Sequence, residues 1–266
     1  MRTLVVLPTF NEAANIEEVL RRLRTAVPDA DLLVVDDSSP DGTADLAETI
    51  GLELGAVEVM RRPSKSGLGS AYCDGFRHGL KRGYDVMVEM DSDLSHDPAS
   101  LPALLEAVKN GASLALGSRY IPGGSIPDWS WHRRALSRWG NRYAARVLGL
   151  GITDATSGFR AYAADVLAKI DVDGVRADGY GFQIEMAYRV LGSGGTLTEV
   201  PISFTDRILG ESKMSGRIVA EAFVLVVVAA EPEDAAPVVL LLPPPPLSSL
   251  PSIKLPSPRP APRPRW

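Results

Sequence analysis

The chain has 266 residues, of which 45% are apolar and 23% charged, ordinary values for a globular protein with a buried core. Its formal net charge of -5 argues against a general nucleic-acid binder while leaving room for a local basic patch, and its single cysteine, Cys73, excludes an internal disulfide and a cysteine-built zinc site. The three histidines, His78, His96 and His132, are scattered, so a metal would be held mainly by oxygen, which favours Mg²⁺ or Mn²⁺.

In chain order, residues 3–7 form a short apolar run rich in β-formers. After the turn Pro8-Thr9-Phe10-Asn11-Glu12, the residues Ile16, Val19, Leu20, Leu23 and Val27 fall on one face of a helix. Residues 32–35 form a second strand, ending in Asp36-Asp37. Ser38-Ser39-Pro40-Asp41-Gly42 is a turn, with Asp41 placed to cap a helix that runs to about Leu54. A third strand covers residues 57–60, and a Gly/Ser loop at 64–70 leads into a helix ending near Gly83. A fourth strand covers residues 86–90 and again ends in acidic residues. Residues 101–108 are helical, and 113–116 form a fifth strand.

Continuously apolar short strands alternating with amphipathic helices predict an α/β fold, with a mostly parallel sheet covered by helices on both faces. In such sheets the ligand site lies beyond the carboxyl ends of the strands. Polar clusters sit at three of those ends: residues 8–12, Asp36-Asp37, and 91–93. No internal repeat is present.

No segment reaches the ~18 apolar residues that a membrane span needs. The longest candidate, residues 222–230, stops at Glu231-Pro232-Glu233-Asp234, and the apolar run at the N-terminus is too short for a signal-peptide core. The expected location is therefore the cytoplasm, with any membrane contact peripheral. Twelve of the 21 prolines fall in residues 232–266, so this tail is expected to be extended or disordered. A spacer or a tail without a role is the favoured reading, and a PxxP-type ligand the other.

The dinucleotide and P-loop fingerprints are both missing, because Gly67 and Gly69 lack a third glycine and follow the third strand. A nucleotide would instead need strand-end carboxylates and a carboxylate-held cation to neutralise its diphosphate. Asp91-Ser92-Asp93 could supply that cation site. The D-x-D spacing recurs at Asp29/Asp31 and Asp171/Asp173, but only Asp91 and Asp93 follow a buried strand. A solvated turn is the plain alternative. In the segment 129–146, Arg133, Arg134, Arg138, Arg142 and Arg146 interleave with Leu136, Trp139, Tyr143 and Val147. This pattern suits a basic amphipathic helix that lies on an anionic membrane or grips a phosphate, or a surface helix with a solvated arginine face. Arg207 and Lys213, in a polar loop, suit either a phosphate or a plain charged turn.

Together these clusters resemble the GT-A, family 2 glycosyltransferases, and more narrowly the dolichyl- or polyprenyl-phosphate mannose synthases. The matching stretches are Pro8-Thr9-Phe10-Asn11-Glu12, Asp36-Asp37-Ser38-Ser39-Pro40-Asp41-Gly42-Thr43, Gly67-Leu68-Gly69 and Met90-Asp91-Ser92-Asp93-Leu94-Ser95-His96. Gly117-Ser118-Arg119-Tyr120, Thr156-Ser157-Gly158-Phe159-Arg160, Gly181-Phe182-Gln183 and Pro201-Ile202-Ser203-Phe204 follow, with Arg207 and Glu211-Ser212-Lys213. Each is weak alone; in this order, over roughly residues 3–222, they are specific.

The resemblance implies a GT-A (Rossmann-like) catalytic domain over residues 1–222 and an apolar, then Pro-rich, tail over 223–266. It implies that Pro8, Phe10, Glu12, Val35 and Asp37 hold the guanosine part of GDP-mannose, with Ser92 beside them. Phe10 stands where a tyrosine is common, and Ser95 where some members have glutamine. Asp91 and Asp93 would bind Mg²⁺ or Mn²⁺ and, through it, the donor diphosphate. Arg119, Arg133 and Arg207 would meet the phosphate of a polyprenyl-phosphate acceptor, Arg207 and Lys213 would lie near the donor, and Asp91, Asp93 and Arg119 would carry the chemistry. The implied product is polyprenyl-phosphate β-mannose, made with inversion. Some members span the membrane; others dock through surface helices or partner subunits, so a membrane-protein partner is a further expectation. The rival expectations are UDP-glucose or another sugar nucleotide as donor, a metal-dependent nucleotidyltransferase, and a non-catalytic adaptor that uses the Pro-rich tail.

Overall fold

The computed structural model describes residues 1–175 and 177–206. Among these residues seven strands form one sheet: β1 (Thr3–Thr9), β2 (Asp31–Asp36), β3 (Val57–Arg61), β4 (Val86–Glu89), β5 (Leu114–Ser118), β6 (Arg160–Ala163) and β7 (Leu197–Pro201). The helices are α1 (Ile16–Ala26), α2 (Thr43–Leu54), α3 (Leu68–Lys81), α4 (Leu101–Lys109), α5 (Trp131–Val147), α6 (Ala164–Lys169) and α7 (Tyr180–Gly192). The strand order is β3-β2-β1-β4-β6-β5-β7, parallel except for β6, which runs antiparallel to both of its neighbours.

Successive side chains on β1 alternate between two cores. Leu4 and Val6 pack with α3, α6 and α7 on one face, whereas Val5 and Leu7 pack with α1, α2 and α4 on the other. This is why the strands read as unbroken apolar runs. On α1, Ile16, Val19, Leu20 and Leu23 are fully buried, each contributing about 1.5–3 kcal/mol relative to exposure.

The five predicted strands and the helices between them are present, and the sheet is covered on both faces. Two details differ. The cap of α2 is Gly42, with φ 83°, and not Asp41. Asp41 sits one residue earlier, where its carboxylate accepts from Thr43 N and Ala13 N, each at 3.1 Å, and so ties the start of α2 to the loop after β1. The reversed strand β6 has no apolar-run signature, because its Arg-Ala-Tyr-Ala sequence buries an arginine. Among the described residues no helix is long and apolar enough to cross a membrane. Arg207, Lys213, the expected boundary near residue 222 and the Pro-rich tail lie outside the described residues.

Candidate active site

The sheet order reverses at β1, with β2 and β3 on one side and β4 on the other. A crevice is expected beyond the carboxyl ends of strands at such a point. A cavity of about 350 Å³ lies there, lined by Pro8 at the end of β1 and Phe10 just after it, Asp37 after β2, and Asp91, Ser92 and Asp93 after β4. The opposite wall comes from Arg119 after β5, from Thr156 and Gly158 before β6, and from Tyr180 and Gln183 at the start of α7.

On one side, Asp37 is buried and held by Arg62 Nη1 at 2.6 Å, with Ser66 N donating to its other oxygen at 3.2 Å. Arg62 is itself buried and also pairs with Asp74 at 2.9 Å and Ser70 at 2.5 Å. The carboxylate is thus fixed before any ligand arrives. Glu12 lines the cavity, its N–H donating to Thr43 Oγ1 and its carboxylate accepting from Asn15 Nδ2, each at 3.0 Å. Lys65 Nζ stands 4.1 Å from the centroid of the Phe10 ring, a cation–π contact at the cavity wall. Val35 does not join them: its side chain is fully buried in the core beside α3 and does not line the cavity.

Asp91 and Asp93 both face the cavity. The hydroxyl of Tyr72, on α3, donates to Asp91 Oδ1 at 3.2 Å. Burial, and then the charge of Asp91, push that phenol's pKa well above its usual value, so it stays a donor. Ser95 donates to Asp93 Oδ1 through its N–H at 3.0 Å and its hydroxyl at 2.5 Å. Ser92 Oγ donates to the carbonyl of Pro8 at 3.0 Å, which stitches the end of β4 to the end of β1. Among the described residues no three His, Cys, Asp or Glu side chains converge as a metal cage. Two carboxylates at a cavity wall are nonetheless the donor set expected for Mg²⁺ or Mn²⁺ that shares its remaining positions with water and substrate phosphate. The residues present fit such an ion.

Beneath this floor Glu89 is fully buried, and burial raises its pKa to about 8 against the opposing charge of Arg160. The loop before α3 also lines the cavity, through Lys65 and Gly67. Gly67 adopts φ 97°, and a Cβ there would come within 2.6 Å of Asp178 Oδ2, so only glycine fits.

The arginines expected at the acceptor differ from one another. Arg119 lines the cavity, but its Nε and Nη2 are taken by Asp154 at 2.7 and 2.6 Å, and Nη2 also reaches Thr156 Oγ1 at 2.9 Å. Burial alone would lower its pKa; the adjacent Asp154 more than offsets this and keeps it charged. Arg133 does not line the cavity. It is exposed, pairs with Asp206 at 3.1 Å, and lies over the Trp129 ring at 3.8 Å. His96 lines the cavity between the Phe159 and Phe204 rings, and burial lowers its pKa to about 4, so it is neutral at pH 7.

Sequence comparison identifies the architecture. The sequence model described as "Glycosyl transferase family 2" matches residues 4–171. An undecaprenyl-phosphate mannosyltransferase of Micrococcus luteus is 53% identical over 226 residues, 85% of this chain and 93% of that protein. This chain belongs to glycosyl transferase family 2. A polyprenol monophosphomannose synthase of Mycolicibacterium smegmatis is 51% identical over 226 residues, 85% of each chain. A dolichol-phosphate mannosyltransferase of Pyrococcus furiosus is 37% identical over 83% of this chain, which spans 61% of that protein. The fold is shared with glucosyl-3-phosphoglycerate synthase of Mycobacterium tuberculosis, at a TM-score of 0.64 and 21% identity, over 86% of this chain and 79% of that one.

Several residues of this family 2 site carried no sequence signal. Arg62, which holds Asp37, and Asp74, which pairs with Arg62, look like ordinary surface charges in the sequence. Tyr72 reads as one more core aromatic on α3, and Asp154 as a loop residue. Their roles come from contacts between residues far apart in the chain.

Proposed function

We propose that this chain transfers mannose from GDP-mannose to a polyprenyl phosphate, giving polyprenyl-phosphate β-mannose and GDP. The observation that carries this reading is one cavity that joins the Asp37 pocket, the Asp91/Asp93 pair and Arg119, in a chain more than half identical to the Micrococcus luteus enzyme. Pro8, Phe10, Glu12 and Asp37 cradle the nucleoside. Asp91 and Asp93 would hold Mg²⁺ or Mn²⁺, which when bound supplies positive charge to the diphosphate leaving group.

The acceptor is a phosphate monoester and is already anionic at neutral pH. Its oxygen attacks the anomeric carbon without a general base. The bond from that carbon to the β-phosphate oxygen breaks as the new C–O bond forms on the opposite face, and the electron pair departs with GDP. The protein's work is therefore orientation and charge stabilisation. Arg119, locked by Asp154 and Thr156, offers fixed donors to the acceptor phosphate; its pair with Asp154 is net neutral, so what it adds is direction more than charge. Arg207 and Lys213 remain assigned to the phosphates.

The acceptor's lipid tail calls for a membrane surface, and α5 supplies one. On helical geometry Leu136, Trp139 and Val147 share one stripe, while Arg134, Arg138, Arg142 and Arg146 form the adjacent one. Leu136, Trp139 and Trp131 are 68%, 56% and 73% exposed. An apolar stripe flanked by arginines suits an anionic lipid surface. The helix touches the cavity wall through Asn141 Nδ2 to Thr156 Oγ1 at 3.2 Å. This surface supports peripheral attachment, and the proposed reaction then runs at the cytoplasmic face of the membrane.

The test is transfer of labelled mannose from GDP-mannose to polyprenyl phosphate, with and without Mn²⁺, against UDP-glucose as competing donor. The expected result is metal-dependent transfer from GDP-mannose. Full turnover in chelator, or transfer only from UDP-glucose, would overturn it.

A further inference from the structure

Gln183 lies in the first turn of α7, is 3% exposed, and lines the cavity. Its backbone is pinned by Arg160, whose Nη1 donates to the Gln183 carbonyl at 2.7 Å. Arg160 is fully buried, and its Nε and Nη2 donate to the carbonyls of Ser157 and Ala155, each at 2.7 Å. One side chain thus fixes the start of α7 against the segment that carries Gly158. The Gln183 amide is only half served: its nitrogen donates to the carboxylate of the buried Glu89. The amide's own Oε1 is buried without a hydrogen-bond partner among the described residues. An unpaired buried amide oxygen is costly, and folded proteins seldom keep one without a reason.

Gly158 lies next to that amide and also lines the cavity. A Cβ built there would lie 3.5 Å from Gln183 Nε2 and 3.6 Å from Asp91 Oδ2. Both are ordinary contact distances, and Gly158 is not among the glycines with positive φ. Neither the backbone nor a clash within the protein requires glycine here. What glycine provides is open space between an amide and a carboxylate.

We propose that Gln183 and the gap over Gly158 form the subsite for the transferred sugar, with the Gln183 amide hydrogen-bonded to a hydroxyl of the hexose. This rests on the reading of Asp91 as the anchor of the donor diphosphate. The hexose is joined directly to the β-phosphate, so its ring must lie beside Asp91. A carboxamide both donates and accepts, which matches a hydroxyl that does the same. A site whose buried polar group is completed by a substrate hydroxyl discriminates strongly against an analogue that lacks it.

The experiment compares the wild-type chain, Gln183→Ala and Gly158→Ala with GDP-mannose and its monodeoxy analogues, and measures GDP affinity and unfolding temperature for each. In the wild type, one deoxy position should lower kcat/KM roughly ten- to a hundredfold. In Gln183→Ala that penalty should vanish, because the partner of the missing hydroxyl is gone. Gly158→Ala should lower kcat/KM by a similar factor by filling the gap. Both variants should keep wild-type GDP affinity and unfolding temperature. Unchanged kcat/KM in both, a deoxy penalty that persists without Gln183, or an equal loss of GDP affinity would overturn the proposal. Should Gly158→Ala alone fold, its GDP affinity and kcat/KM still decide. If the wild type rejects GDP-mannose but uses another hexose donor, the assigned donor is wrong, and the same variants test the subsite with deoxy forms of that donor.

Discussion

Arg119 reaches the cavity already paired with Asp154, through contacts of 2.7 and 2.6 Å, and the aspartate is fully buried. Removing one member of a buried pair strands the other's charge, at a cost of roughly 3–5 kcal/mol, whereas replacing both by apolar groups is often close to neutral. Asp154→Ala should therefore destabilise the fold by about that amount in urea unfolding. The double variant Arg119→Met with Asp154→Leu should recover most of the stability but not transferase activity. Equal destabilisation by the single and double variants would show that the pair is not the source of the cost.

Tyr72→Phe keeps the ring that stacks on Phe76 and Phe182 at 6.2 and 5.9 Å but deletes the hydroxyl that donates to Asp91. Groups that orient a metal ligand typically matter by about 10- to 100-fold in metal affinity. Direct titration with Mn²⁺ should show weakening in that range, with little change in thermal unfolding. Unaltered Mn²⁺ affinity would remove the metal role from Asp91 or the orienting role from Tyr72.

The α5 surface is testable with vesicles. Arg138→Glu with Arg142→Glu should reduce co-sedimentation with anionic vesicles, each lost cation weakening binding by about 1 kcal/mol. Leu136→Glu with Trp139→Glu should reduce it at all salt concentrations, while the arginine effect should fade in high salt. These side chains are exposed, so unfolding temperatures should barely move. Undiminished vesicle binding in both double variants would place the membrane contact elsewhere.

His96 gives the acid limb of stability a definite sign. Burial lowers its folded pKa to about 4 from an ordinary 6.5. Between those values the unfolded chain binds the extra proton, so this contribution is complete above about pH 6.5 and is lost as pH falls toward 4, on the order of 3 kcal/mol in all. Glu89 acts oppositely: its folded pKa of about 8 means stability is lost as pH rises from about 4.5 to 8. The informative quantity is therefore the difference between wild type and His96→Phe. The variant should lose less stability than wild type between pH 7 and pH 5 in urea titrations. Parallel curves would mean that His96 is not buried in its neutral form.

The sequence made the strand-end half of the site legible, because acidic residues directly after apolar runs are an unusual juxtaposition. Asp37, Asp91 and Asp93 announce themselves this way. The opposite wall was legible only through family resemblance. It depends on β6, whose buried Arg160 breaks the apolar pattern, and on pairings such as Arg119 with Asp154 that span 35 residues. The expected places of Val35 and Arg133 show the same boundary: a motif gives a position in the chain, whereas core packing and the Asp206 partner decide where the side chain goes.

The insertion of β6 between β4 and β5 bears on how the chain is made. During synthesis β1 to β4 can pair as they emerge, but among the described residues β5 pairs only with β6 and β7, which are translated about forty and eighty residues later. Its Leu-Ala-Leu-Gly-Ser backbone must wait on the ribosome with both edges open. Slow decoding between residues 118 and 160 would lengthen that exposure. Expression yield should therefore depend more on that stretch of the message than on the codons for the first four strands.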